Sequence, residues 1–116
     1  MEKVSMEQLF EQMKEYLKME DELGYPLFSA YYYDMMNFLQ AEYQDLSGDE
    51  LVQAQAICSI IRDNAQMCAA KKDINRKKFL KIQEKSDFWQ GAIKARLIKE
   101  GMSEKELAQK AKGLWD

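Results

Sequence analysis

The chain has 116 residues, 47% hydrophobic and 32% charged, with a net charge of −3. This balance excludes a disordered segment, and no run approaches the roughly 20 apolar residues of a membrane-spanning helix. One Pro and five Gly leave too few turn residues for a many-stranded protein, so the composition points to an all-α fold with few connections.

The N-terminal MEKVSMEQLFEQMKEYL is acidic and lacks the apolar core of a signal peptide, which sets a cytoplasmic expectation. The charge is divided unevenly. Residues 1–70 carry 4 Lys/Arg against 13 Asp/Glu, and residues 71–116 carry 13 against 7. An acidic first part thus precedes a basic second part.

Ser5 and Gln8 have capping-box spacing. Met6, Leu9, Phe10, Met13, Tyr16, Leu17 and Leu23 follow at intervals that mostly keep one helical stripe, with Glu7, Glu11 and Glu15 on another face. A first helix is predicted over 5–23, stopped by Gly24 in a left-handed conformation. Its acidic face, with Glu2 and Glu20, Asp21 and Glu22, invites comparison with a phosphate backbone. Lys14 and Lys18 interrupt the row, and an ordinary amphipathic helix is the simpler reading.

Tyr25-Pro26 opens a second helix, because Pro fits a position that needs no N–H. Leu27, Phe28, Tyr31, Met35, Phe38, Leu39 and Leu46 form a broad apolar face, widened by Tyr32, Tyr33 and Met36. Three consecutive tyrosines span most of a helix circumference, so at least one faces outward. Tyr32, Tyr33 and Met36 are therefore candidate protein-contact residues, since Tyr and Met supply large, adaptable contact area. Core packing competes with that reading.

Ser47 with Glu50 marks the start of a third helix over 48–70, with Ala54, Ile57, Cys58, Ile61, Ala65 and Cys68 as a seam. Two Cys ten residues apart on one helix lie about 15 Å apart along its axis. A disulfide needs Cα atoms within about 7 Å, so they cannot pair within the helix. They are read as small buried hydrophobes. The 4-3 rhythm continues through 72, 75, 79, 82, 86, 89 and 93, but Lys72, Asn75 and Ser86 occupy core seats. A break near Lys71–Asp73 is predicted, with one long rod as the alternative. Ser86-Asp87 is read as the cap of a further helix that buries Phe88, Trp89, Ala92, Ile93 and Leu97. Gly101 ends that helix, and Ser103 with Glu106 starts a last short one.

Catalysis has little to build on. The chain has no His, which removes the commonest general base and metal ligand, and two Cys do not complete a zinc site. No phosphate-binding Gly-rich loop is present. No catalytic, metal or cofactor residue is assigned. The run AAKKDINRKKFLKIQEK places Lys71, Lys77, Lys78, Lys81 and Lys85 within about a third of a helix circumference. With Arg96 and Lys99 they are candidate nucleic-acid contacts. A solvated face, or pairing with the acidic first helix within the chain or across a dimer, competes with that assignment.

The ending RLIKEGMSEKELAQKA resembles the first two helices of the phage-repressor-type helix-turn-helix family, through Arg96, Gly101, Met102, Ser103, Glu106, Leu107 and Ala108. That family continues with a recognition helix, for which only Lys112 to Asp116 remain, so its DNA-reading role does not carry over. Ser103-Glu104-Lys105-Glu106-Leu107 and Lys110-Ala111-Lys112-Gly113-Leu114-Trp115 also resemble the short C-terminal domain family, with one residue fewer between Gly101 and Ser103. That resemblance implies an interaction or oligomerisation tail. Under either, Leu107, Ala111, Leu114 and Trp115 form an apolar edge that must dock.

The expectation is four to six helices. A bundle-like body spans 1–100, acidic over 1–70 and basic over 71–100, with the first three helices antiparallel. A short helix over 101–116 docks on it. The functional expectation is a small non-catalytic interaction or regulatory protein, such as a phage or mobile element encodes, that binds another protein or a second copy of itself. Tyr32, Tyr33, Met36, Leu107, Leu114 and Trp115 are its candidate contacts. The alternative is a nucleic-acid-binding regulator using helix 71–85. No cofactor and no membrane association are expected.

Overall fold

The computed structural model describes residues 4–19, 24–71 and 74–115. The fold is all-α: α1 (Met6–Leu17), α2 (Tyr25–Glu42), α3 (Gly48–Ala70), α4 (Arg76–Lys99) and α5 (Glu104–Gly113), with a 3-10 turn at Tyr43–Asp45 after α2. The chain divides into two compact units, Met1–Ser47 and Gly48–Asp116.

In the first unit the capping box forms as the spacing predicts. The Gln8 amide donates to Ser5 Oγ at 3.1 Å, and the Ser5 amide donates to Gln8 Oε1 at 2.9 Å. Two otherwise unpaired helix-start N–H groups are satisfied in this way. Met6, Leu9, Phe10 and Met13 are buried, while Glu7, Glu11 and Glu15 are exposed. The helix ends earlier than expected, at Leu17 with Lys18 as its cap. Lys18 and Met19 are not helical, and the rest of the predicted continuation, residues 20–23, lies outside the described residues. Gly24 is not a left-handed stop: its φ of −65° and ψ of 157° make it the extended N-cap of α2, followed by Pro26 in the first turn. The glycine serves the start of one helix rather than the end of the other, because α1 has already closed. The Tyr31 hydroxyl donates to the Leu9 carbonyl at 2.7 Å, and Tyr16 meets the Tyr31 ring edge-on at 5.5 Å. This pins α2 to α1 and satisfies a buried phenol.

The second unit is built on an antiparallel pairing of α3 with α4. Three side-chain bonds set the register. The Gln55 side chain donates to Gln90 Oε1 (3.2 Å), Arg62 donates to Asp87 Oδ1 (3.1 Å), and Arg76 donates to the Ala69 carbonyl (3.1 Å). Partners on α4 run backward as those on α3 run forward. The register sets Ile61 level with Ser86, Ala65 with Ile82 and Ala54 with Ile93. Ala54, Ile57, Cys58, Ile61 and Ala65 are buried on α3, and Phe79, Ile82, Ser86, Ile93 and Leu97 on α4. Small residues on one helix thus face larger ones on the other, Ala54 and Ala65 on α3 and Ser86 on α4, so the two faces interdigitate.

The predicted interruption after α3 is present. α3 ends at Ala70 and α4 begins at Arg76, so the single rod is not formed. Lys72 and Asp73 lie outside the described residues. Ile74 is 99% exposed, and Arg76 covers a carbonyl left open at the end of α3. The helix start expected at Ser86 is absent, because α4 runs unbroken from Arg76 to Lys99. Ser86 occupies the seam with its hydroxyl buried and without a hydrogen-bond partner, and Asp87 bonds Arg62 and Gln90.

Gly101 does end α4. Its φ is 110°, the Gly101 amide donates to Ile98 O at 3.0 Å, and the Met102 amide donates to Leu97 O at 3.0 Å. This is a Schellman closure, which requires a residue without a Cβ penalty. Ser103 caps α5 by accepting from the Glu106 amide at 3.1 Å. Leu107 is buried, and Lys94 on α4 reaches Glu104 on α5 at 3.6 Å.

Two substitutions in the seam are expected to have opposite signs. Ile61→Ala removes a fully buried side chain and should cost about 2–5 kcal/mol. Ser86→Ala removes a buried hydroxyl without a partner and should raise stability by about 1 kcal/mol. Urea denaturation measures both. A loss above about 1 kcal/mol for Ser86→Ala contradicts the seam assignment.

Candidate interaction surface

α4 carries two opposed faces. Its inner face is the seam with α3. Its outer face holds Lys77, Lys81, Lys85 and Lys99, all exposed, together with Phe88 at 66% exposure. Leu80 (44%) and Ile98 (40%) are also exposed beside them. At 100° per residue these positions fall on the half of the helix opposite Ile82, Ser86 and Ile93. Gly91 and Ala95 are exposed on the same side, and a Cβ added at Gly91 meets nothing within 4 Å. Seven exposed large or cationic side chains thus stand on this side of one helix, with Gly91 and Ala95 low among them.

The basic residues singled out from the sequence separate into groups. Lys77, Lys78, Lys81 and Lys85 share one side of α4 and are exposed, and Lys99 continues that side near the helix end. Lys71 is not part of the helical array, since it lies beyond the end of α3 and before α4. Arg96 is half-buried, and its guanidinium is engaged with Glu100 at 3.1 Å. Among the described residues Lys77, Lys81 and Lys85 take part in no ion pair, so their charges face solvent.

The α2 residues behave differently. Tyr32 (6%) and Met36 (4%) are buried, while Tyr33 is 58% exposed with its ring 5.2 Å from that of Tyr32. Of the three, Tyr33 alone is available to a partner. Tyr31 and Tyr32 are consumed by packing, as three adjacent tyrosines on one helix require.

At the C-terminus the apolar edge docks on the chain's own second unit. Leu107 is buried, Ala111, Leu114 and Trp115 are partly exposed, and Trp115 lines a groove of about 390 Å³ with Gln55, Ser59 and Ile60 of α3. In the first unit a smaller hollow of about 250 Å³ lies beside Asp34, Phe38 and Glu42. Neither holds an arrangement of groups suited to acid–base or nucleophilic chemistry. Among the described residues no cluster of three Cys, Asp or Glu side chains could hold a metal ion, and no helix is long and apolar enough to cross a membrane.

The flank of the α3–α4 seam carries a chain of polar side chains. Arg62 bonds both Asp63 and Asp87, Asp87 also accepts from Gln90, and Gln90 accepts from Gln55. The hydrogen bonds from Arg62 and then Gln90 hold the Asp87 carboxyl below its ordinary range. The network sets one cation between two carboxylates and is partly exposed, so it serves register rather than chemistry.

A helix start at Ser86-Asp87 turns Phe88 inward; the unbroken α4 turns it to solvent. The rhythm 79, 82, 86, 89, 93 already contained the signal. Carried through without a restart, it leaves 88 off the seam.

Cys58 is fully buried, and desolvation pushes its thiol from 9.0 up to about 12. The folded protein therefore holds this proton over a range where the unfolded chain has released it. Its contribution to stability is complete below pH 9 and is lost as pH rises toward 12. Between pH 8 and 10.5 the stability advantage of the native chain over Cys58→Ala should shrink by about 2 kcal/mol. Denaturant titration at the two pH values measures this, and an unchanged advantage contradicts the burial of a neutral thiol.

No family model matches the chain, and no curated protein or solved structure matches it either.

Proposed function

We propose that this is a non-catalytic interaction protein that binds another protein through the outer face of α4. The observation that carries the reading is Phe88. A large aromatic two-thirds exposed in the middle of a well-packed helix forgoes burial worth about 2 kcal/mol. Around it stand Leu80, Ile98 and the lysine row, with Gly91 and Ala95 keeping the centre low. An aromatic anchor, a small-residue floor and a charged rim suit the approach of a second helix. The resemblance of the last residues to an interaction or oligomerisation tail agrees with this reading. Trp115, beside the α3–α5 groove, offers a secondary contact.

A second reading has its own support. Lys77, Lys81, Lys85 and Lys99 beside an exposed aromatic ring also suit a nucleic acid, with phosphates on the lysines and a base stacked on Phe88. Glu84, which stands among those lysines on the same face, opposes a continuous phosphate track.

One experiment separates the two. A photo-crosslinking phenylalanine analogue is placed at position 88 in cells that naturally carry the chain, with the exposed Gln66 on α3 as the control position. The protein-binding reading expects discrete protein adducts at 88 and none at 66. Adducts removed by nuclease favour the second reading. Equal, diffuse labelling at both positions, or none at either, contradicts both.

A further inference from the structure

The occupant of the α4 face can be named from charge and spacing on the chain itself. α1 carries Glu7, Glu11 and Glu15, all exposed and four residues apart. α4 carries Lys77, Lys81 and Lys85, all exposed and four residues apart. Each step of four rises about 6 Å along a helix. The two rows therefore have the same length, the same pitch and opposite sign, with Lys14 and Lys18 beside the first and Glu84 beside the second. Each also lies away from its own helix's buried residues: Met6, Leu9, Phe10 and Met13 on α1, and Phe79, Ile82 and Ser86 on α4.

The rows are available. The three lysines take part in no ion pair among the described residues. On α1, Glu7 has no ion-pair partner there, and the contacts of Glu11 to Lys14 (3.9 Å) and Glu15 to Lys18 (3.7 Å) are long and exposed. Such contacts yield readily to a better-placed cation. The imbalance extends to the whole units. Residues 1–47 carry 3 Lys/Arg against 10 Asp/Glu, and residues 48–116 carry 14 against 10.

The geometry points to a twofold homodimer in which α1 of each copy lies antiparallel against the outer face of α4 of the other. The inference rests on the reading of that face as a protein-binding surface and names its partner as a second copy of this chain. The antiparallel register sets Lys77 beside Glu15, Lys81 beside Glu11 and Lys85 beside Glu7. It then carries Phe88 to the exposed Val4, which precedes α1. Each copy bears both rows, so each row has its opposite on a second copy, the self-complementarity that a twofold dimer requires. Ion pairs at an exposed rim are individually weak, so the dimer is micromolar and salt-sensitive, with Phe88 supplying the apolar contact.

Charge reversal tests this on the full chain. Analytical ultracentrifugation in low salt should show a concentration-dependent monomer–dimer equilibrium, roughly tenfold weaker in half-molar salt because screening shortens the reach of exposed charges. The triple variant Lys77→Glu/Lys81→Glu/Lys85→Glu should be monomeric, as should Glu7→Lys/Glu11→Lys/Glu15→Lys. Circular dichroism confirms that each remains helical. Mixed together, the two variants should form a one-to-one heterodimer, because both contacts are then complementary while both homodimers are repulsive. A native chain that stays monomeric at sub-millimolar concentration overturns the inference, as does a dimer indifferent to either reversal. If the chain is monomeric while position 88 crosslinks to a different protein, this inference falls and the protein-binding reading stands. If position 88 yields no adduct while the charge-swapped heterodimer forms, the chain self-associates in another arrangement and the proposed register is overturned.

Discussion

The antiparallel seam between α3 and α4 is the constraint on which the second unit depends. Its residues are almost wholly removed from water, and its register is held at three levels by Gln55, Arg62 and Arg76. Each buried Ile or Leu in it contributes about 1.5–3 kcal/mol relative to exposure. Everything else in that unit is referred to this pairing. The turn at Ile74-Asn75 exists to reverse the chain into it. The Schellman closure at Gly101 exists to leave it, and α5 returns across α3 with Leu107 as its anchor.

The seam also determines what α4 shows to solvent. A helix committed on one side by Phe79, Ile82, Ser86 and Ile93 has no freedom to rotate. Phe88 and the lysine row are therefore held outward, not by preference but by the burial of the opposite side. That coupling links the core to the surface: rigidity on the inner face presents a fixed pattern on the outer one. The unpartnered Ser86 hydroxyl is the visible cost within the seam. It is tolerated because the surrounding packing is large compared with the roughly 1–3 kcal/mol of one unsatisfied polar group.

Much of this was legible in the residues. The all-α fold followed from the scarcity of Gly and Pro. The caps at Ser5 and Ser103, the Pro26 entry into α2 and the Gly101 stop followed from local hydrogen-bond chemistry that needs no tertiary information. The errors share one cause. The commonest local roles of Gly24 and Ser86 are a helix stop and a helix cap, and at both positions the course of the chain overrides the local preference. Gly24 begins a helix because α1 had already ended. Ser86 sits inside one because the register of the hairpin places it there. The tyrosines illustrate the other limit. That one of Tyr31, Tyr32 and Tyr33 faces outward follows from helical geometry, but that it is Tyr33 depends on what the other two pack against.

The direct measurement of the seam is amide hydrogen exchange across the full chain. If the α3–α4 pairing organises the second unit, amides of Ile57–Ile61 and of Ile82–Ile93 exchange slowest and open together, at the rate of global unfolding, while α5 opens first. Exchange of α4 that is fast and independent of α3 would contradict the pairing, and with it the fixed outward presentation of Phe88 and the lysine row.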